Sequence, residues 1–210
     1  MKNNWCSKLI CFIAFIIMVF SNISAHSEDK CVSQLSKEQL IRILLNEDLS
    51  ERHHALKELY ENSEGYDKFS VLPMVCKSAI MVDNVEDEKK CANILLNISK
   101  DYSECWNYGD AIHDGNMILG MVALKEKNIS DAKMYLLRSA KTLPSPQLKI
   151  IGPSLMLADA LIEQNEFDTV IEYFIMIKDM WEKDDGQLDS WISTLEKGAH
   201  PYLKQHLIKW

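Results

Sequence analysis

The 210-residue chain is 47% hydrophobic and carries 23 basic against 31 acidic residues, a formal net charge of −8. That balance repels phosphate backbones and anionic lipid surfaces, so nucleic acid is excluded as an expected partner. Seven glycines and five prolines are too few for the tight turns of a sheet protein this long, which points to an all-α chain with short loops.

The first 25 residues have the order of a secretory signal peptide. Lys2 and Lys8 supply the positive start, residues 9–20 form an unbroken apolar run of twelve, and Ile23-Ser24-Ala25 ends in small residues. A membrane span needs about 20 apolar residues, so cleavage after Ala25 is preferred to anchoring, and no stable span is expected in the mature chain. Losing Lys2 and Lys8 leaves 21 basic against 31 acidic residues, a net −10. The expected location is periplasmic or secreted.

Four cysteines follow the cleavage point: Cys31, Cys76, Cys91 and Cys105. An even number in an exported chain points to disulfides, and three pairings are open. If residues 71–82 and 87–100 are antiparallel helices turning at 83–86, Cys76 and Cys91 lie side by side, which leaves Cys31 with Cys105. The alternative is four reduced, buried thiols. No metal and no cofactor is expected, because no two cysteines have C-x₂-C spacing and no histidine pair lies near them.

Ser36-Lys37-Glu38-Gln39 is a capping box, and Leu40, Ile41, Leu44 and Leu45 give residues 37–46 an amphipathic period. Ser50 is expected to cap a second helix that ends at 62–65. A helix from Val71 would place Pro73 in its first turn, where no donor is needed. Residues 101–112, with Tyr102, Trp106 and Tyr108, read as an aromatic-anchored loop or short helical turn, which closes an N-terminal helical region over 26–112. Asn97 and Asn128 begin Asn-x-Ser sequons that matter only in a eukaryotic secretory pathway.

The second half repeats itself. Leu119-Gly120 aligns with Leu157-Ala158, Ala123 with Leu161, Asn128 with Asn165, Ala132 with Val170, and Leu136 with Phe174. A one-residue shift sets Ile129 on Phe167. Small residues at 120, 132 and 158 would let helices approach closely. Residues 113–183 resemble the tetratricopeptide repeat, carried by Leu119-Gly120, Ala132, Leu136 and the closing Pro144. Asn116 stands where the family has an aromatic, and residues 144–153 are longer than the family's connection. Residues 110–181 also resemble bacterial envelope proteins of repeat type, which implies no known activity. The implied fold is a short solenoid of antiparallel hairpins, capped by a helix over 188–197 that Gly198 stops, with a docked tail inside 184–210.

The resemblance implies a concave peptide-binding groove. Its positions are Asp114, Met117, Met121, Leu124 and Lys125 in the first hairpin, and Leu155, Asp159, Ile162 and Glu163 in the second. Met117 and Met121 replace the residues that clamp a peptide carboxylate, so apolar contacts are expected instead. Methionine at helical spacing is also ordinary core. The leading functional expectation is an exported module or adaptor that binds a protein or peptide. A small hydrolase or metal-dependent enzyme centred on His113, between Asp110 and Asp114, is the alternative, and a structural homo-oligomer subunit is a third. His53 and His54 are adjacent and cannot form the i, i+4 metal pair of a helix. Asp184-Asp185-Gly186 lacks calcium-loop spacing and reads as a linker.

Overall fold

The computed structural model describes residues 31–203 and 206–207. The expected signal peptide and the last three residues lie outside that range. Ten α-helices and no strand occur among the described residues. They are α1 (Lys37–Leu44), α2 (Leu49–Glu61), α3 (Gly65–Met81), α4 (Val85–Ile98), α5 (Tyr108–Lys125), α6 (Ile129–Ser139), α7 (Pro146–Ile150), α8 (Met156–Ile162), α9 (Phe167–Ile177) and α10 (Gln187–Glu196). A 3₁₀ turn, Ser99–Tyr102, follows α4. None of these helices is long and apolar enough to cross a membrane.

Local chemistry explains most of the boundaries. Ser36 Oγ accepts from Gln39 N at 3.3 Å, as the capping box requires. Asp48, not Ser50, caps α2, its carboxylate accepting from Ser50 N and Glu51 N at 2.9 Å. A carboxylate there satisfies two orphan donors and meets the positive end of the helix dipole. Pro73 lies in the interior of α3 rather than its first turn, because the helix begins at Gly65. Burial of Tyr66, Phe69 and Leu72 holds this earlier start in place. Tyr102 stacks on Phe69 with ring centroids 4.6 Å apart, but the expected loop ends at Tyr108, where α5 starts. The boundary expected at 112/113 therefore falls inside α5.

Three helix pairs, α3–α4, α5–α6 and α8–α9, turn in the same way. Asp83, Lys127 and Asn165 take positive φ angles of 54°, 61° and 61°. In each turn the next residue's amide reaches back into the preceding helix: Asn84 N to Ala79 O, Asn128 N to Ala123 O, and Glu166 N to Leu161 O. Asn84 and Asn128 then cap the following helix by accepting from Asp87 N and Asp131 N, both at 3.1 Å. Because Lys127 and Asn165 occupy the same place, no one-residue shift is needed between the second and third pairs.

Helix α5 is the hub. It packs against α4 and α6 along its length and also touches α3, α7 and α8. Twelve of its eighteen residues are buried. Two glycines allow this crowding. A Cβ at Gly115 would lie 2.7 Å from Leu96 Cγ on α4, and one at Gly120 would lie 2.1 Å from Leu157 Cδ2 on α8. Gly120 thus fits α5 to the next pair rather than to its own partner α6. Ala132 and Ala158 are fully buried.

The chain closes on α10, which packs against α9 and is followed by Gly198 with φ +72°. The tail returns to the start of α8, where Leu155 N donates to His206 O at 2.9 Å. Leu203 is buried, and the His206 ring sits edge-on to Trp181 and Trp191.

Candidate functional site

A line of polar side chains runs through the core. Lys77 on α3 places Nζ 2.6 Å from Asp114 Oδ2 on α5. Asp114 Oδ1 lies 3.3 Å from His113 Nδ1, and His113 Nε2 lies 3.3 Å from Tyr173 Oη on α9. The carboxylate assigns the ring proton to Nδ1, so Nε2 accepts from the Tyr173 hydroxyl. Ser139 of α6 lies against the same phenol. The line therefore touches all three helix pairs.

Its electrostatics follow from burial. His113 is 1% exposed and Asp114 is 4% exposed. Lys77 and His113 outweigh desolvation and hold the Asp114 carboxyl below the ordinary carboxylate range. Burial pushes the Tyr173 phenol well up, so it stays a neutral donor. Asp110, one turn before Asp114, accepts from Ser145 Oγ at 2.7 Å. It is half-buried, and desolvation raises its carboxyl to about 7. Asp110 therefore pins the loop before α7 and is not the third member of a His113 triad.

A second polar cluster brings together residues far apart in sequence. His53 Nδ1 lies 2.7 Å from Ser78 Oγ, and His53 Nε2 lies 3.2 Å from Asp87 Oδ2. Lys57 Nζ reaches the same carboxylate oxygen at 2.8 Å, and hydrogen bonding to that ammonium lowers the Asp87 carboxyl. The order Ser–His–Asp has the members of a nucleophilic triad, but not its chemistry. Ser78 donates its proton to Val75 O at 2.7 Å, is 1% exposed, and sits inside a helix. The partners at 78 and 87 lie on other helices, and no local spacing points to them.

The expected groove positions divide. Asp114, Met117, Leu155 and Ile162 are buried, with exposures of 4%, 2%, 0% and 1%, and belong to the core. α5 is enclosed by α4, α6 and α8, which removes the open face that the groove required of Met117. Met121, Leu124 and Asp159 are partly exposed, and Lys125 and Glu163 are exposed. Lys125 is committed to Glu88 at 2.7 Å and to Asp83 at 2.6 Å.

Cys31 and Cys105 form a disulfide with Cα atoms 5.6 Å apart, which ties the segment before α1 to the turn before α5. Cys76 and Cys91 stand beside each other across the α3–α4 hairpin as free, buried thiols, so the expected bridge between them is not formed. No group of three or more histidine, cysteine or acidic residues placed to hold a metal occurs among the described residues. No family model matches the chain, and neither a curated protein nor a solved structure matches it.

Proposed function

We propose that the chain is an exported protein-interaction module, an adaptor built from tetratricopeptide-like hairpins in series and capped by α10. The observation that carries this reading is the common turn of α3–α4, α5–α6 and α8–α9, with the first helices α3, α5 and α8 packed in succession. Export is supported by the apolar run at 9–20 and by the Cys31–Cys105 bond, since disulfides persist in oxidising compartments. The partner is a protein or peptide segment that meets the partly exposed Met121 and Leu124, with Asp159 on the neighbouring α8. A hydrolase centred on His113 draws no support from a ring that is 1% exposed and bonded at both nitrogens.

The test is affinity capture from an envelope extract by the mature chain and by a Met121→Glu/Leu124→Glu variant. The reading expects the same protein to be recovered repeatedly by the first and lost by the second, with helicity retained. Recovery of nothing, or of a partner indifferent to both substitutions, would overturn it. Light scattering on the mature chain separates this reading from a homo-oligomeric subunit.

A further inference from the structure

The thiols of the α3–α4 hairpin take no part in the interaction surface. Cys76 and Cys91 are equally far from the Asp83–Asn84 turn, and the packing of the antiparallel helices sets the two free thiols beside each other across the hairpin. The two are not equivalent. Cys76 has no exposed surface, whereas Cys91 keeps 9%. The charges of Lys57 on α2, Lys90 on α4 and Asp87 act on Cys91, while those of Lys77 and Asp114 act on Cys76.

We propose that Cys76 and Cys91 form a thiol–disulfide exchange site for a low-molecular-weight aliphatic disulfide, with Cys91 as the entering sulfur and Cys76 as the resolving one. The Cys91 thiolate attacks one sulfur of the small disulfide. A mixed disulfide forms on Cys91, and the other half leaves as a thiolate that takes up a proton. Cys76 then gives up its proton and attacks Cys91 Sγ, expelling the second thiolate. The Cys76–Cys91 bond has formed, the external disulfide bond has broken, and two electrons have passed to the small thiols. Excess small thiol reverses both steps. The order follows first from access, since Cys91 keeps 9% exposure and Cys76 none. Charge acts in the same direction: the neighbouring Cys76 thiol, with Lys57 and Lys90, lowers the Cys91 thiol against the opposing effects of burial and Asp87, whereas burial raises that of Cys76. A small co-reactant suits the narrow exposure of Cys91. The site is separate from the Cys31–Cys105 bond.

The test exposes the mature protein, with Cys31–Cys105 intact, to oxidised glutathione, followed by acid quench, alkylation and peptide mass spectrometry. A 76–91 linkage is expected in the wild type. Cys76→Ser should accumulate glutathione on Cys91, and Cys91→Ser should leave Cys76 modified at least about tenfold more slowly. Two free thiols in the native wild type after an exposure that oxidises them in denaturant would overturn the proposal, as would earlier modification of Cys76. Should either variant fail to fold, the alkylation time course of the reduced wild type decides: Cys91 before Cys76 supports the proposal, and the reverse order refutes it.

Discussion

His113 Nε2 lies 3.3 Å from Tyr173 Oη and joins α5 to α9 across 60 residues of chain. The contact makes the histidine part of the scaffold. Tyr173→Phe leaves Nε2 without its donor and should lower stability by about 1–2 kcal/mol. His113→Ala also opens a cavity and strands Asp114, so a loss of roughly 3 kcal/mol is expected. Urea unfolding checks both. An enzymatic role for His113 would instead show lost activity at unchanged stability.

Lys77 and Asp114 form the most enclosed ion pair of the network, with side chains 12% and 5% exposed. Lys77→Met leaves the carboxylate uncompensated and should cost about 3–5 kcal/mol. Lys77→Met combined with Asp114→Leu removes both charges and should recover much of that loss. A double variant no more stable than the single one would mean that the pair sets geometry rather than neutralising charge.

The helical class, the Ser36 cap, the Gly198 stop and the α5–α6 and α8–α9 pairs were legible in the sequence, because periodicity and capping are local. The α3–α4 pair was legible as helices but not as the same kind of unit. Its signature is Asp83-Asn84-Val85 with Asp87, set against Lys127-Asn128-Ile129 with Asp131. It was masked because Glu88 occupies the position that Ala132 fills in the next pair. Glu88 is fully buried there and is answered by Lys125 from α5. The polar network escaped for a different reason. Lys77, Asp114 and Tyr173 meet only through packing of three helices, and no spacing along the chain records that. The same packing closed the face on which Met117 was expected to bind.

Asp110 gives stability a pH dependence of known sign. Its carboxyl ionises near 3.8 when unfolded and near 7 when folded. Below about pH 4 both states hold the proton and its contribution is complete. As the pH rises toward 7, the unfolded chain releases the proton and the folded chain does not, so stability falls, then levels off above that range. Linkage bounds the loss at about 4 kcal/mol, and the residual solvent contact of Asp110 reduces it. Thermal melts from pH 4 to 8 should show this slope in the wild type and a flatter profile in Asp110→Asn.

The Cys31–Cys105 bond closes a loop with a sequence separation of 74. Loop closure of that length is worth about 4 kcal/mol, mostly through the unfolded state. Cys31→Ser/Cys105→Ser should therefore lower the denaturant midpoint markedly and leave the helical signal of the folded chain nearly unchanged. An unaltered midpoint would show that the segment before α1 contributes little to stability.

The burial of α5 among α4, α6 and α8 is tested most directly by segment-resolved amide hydrogen exchange on the mature protein. Residues 111–123 should exchange only through global unfolding, and α1, with Leu44 as its only buried residue, should exchange far sooner. Exchange of 111–123 as rapid as that of α1 would contradict a structure organised around α5.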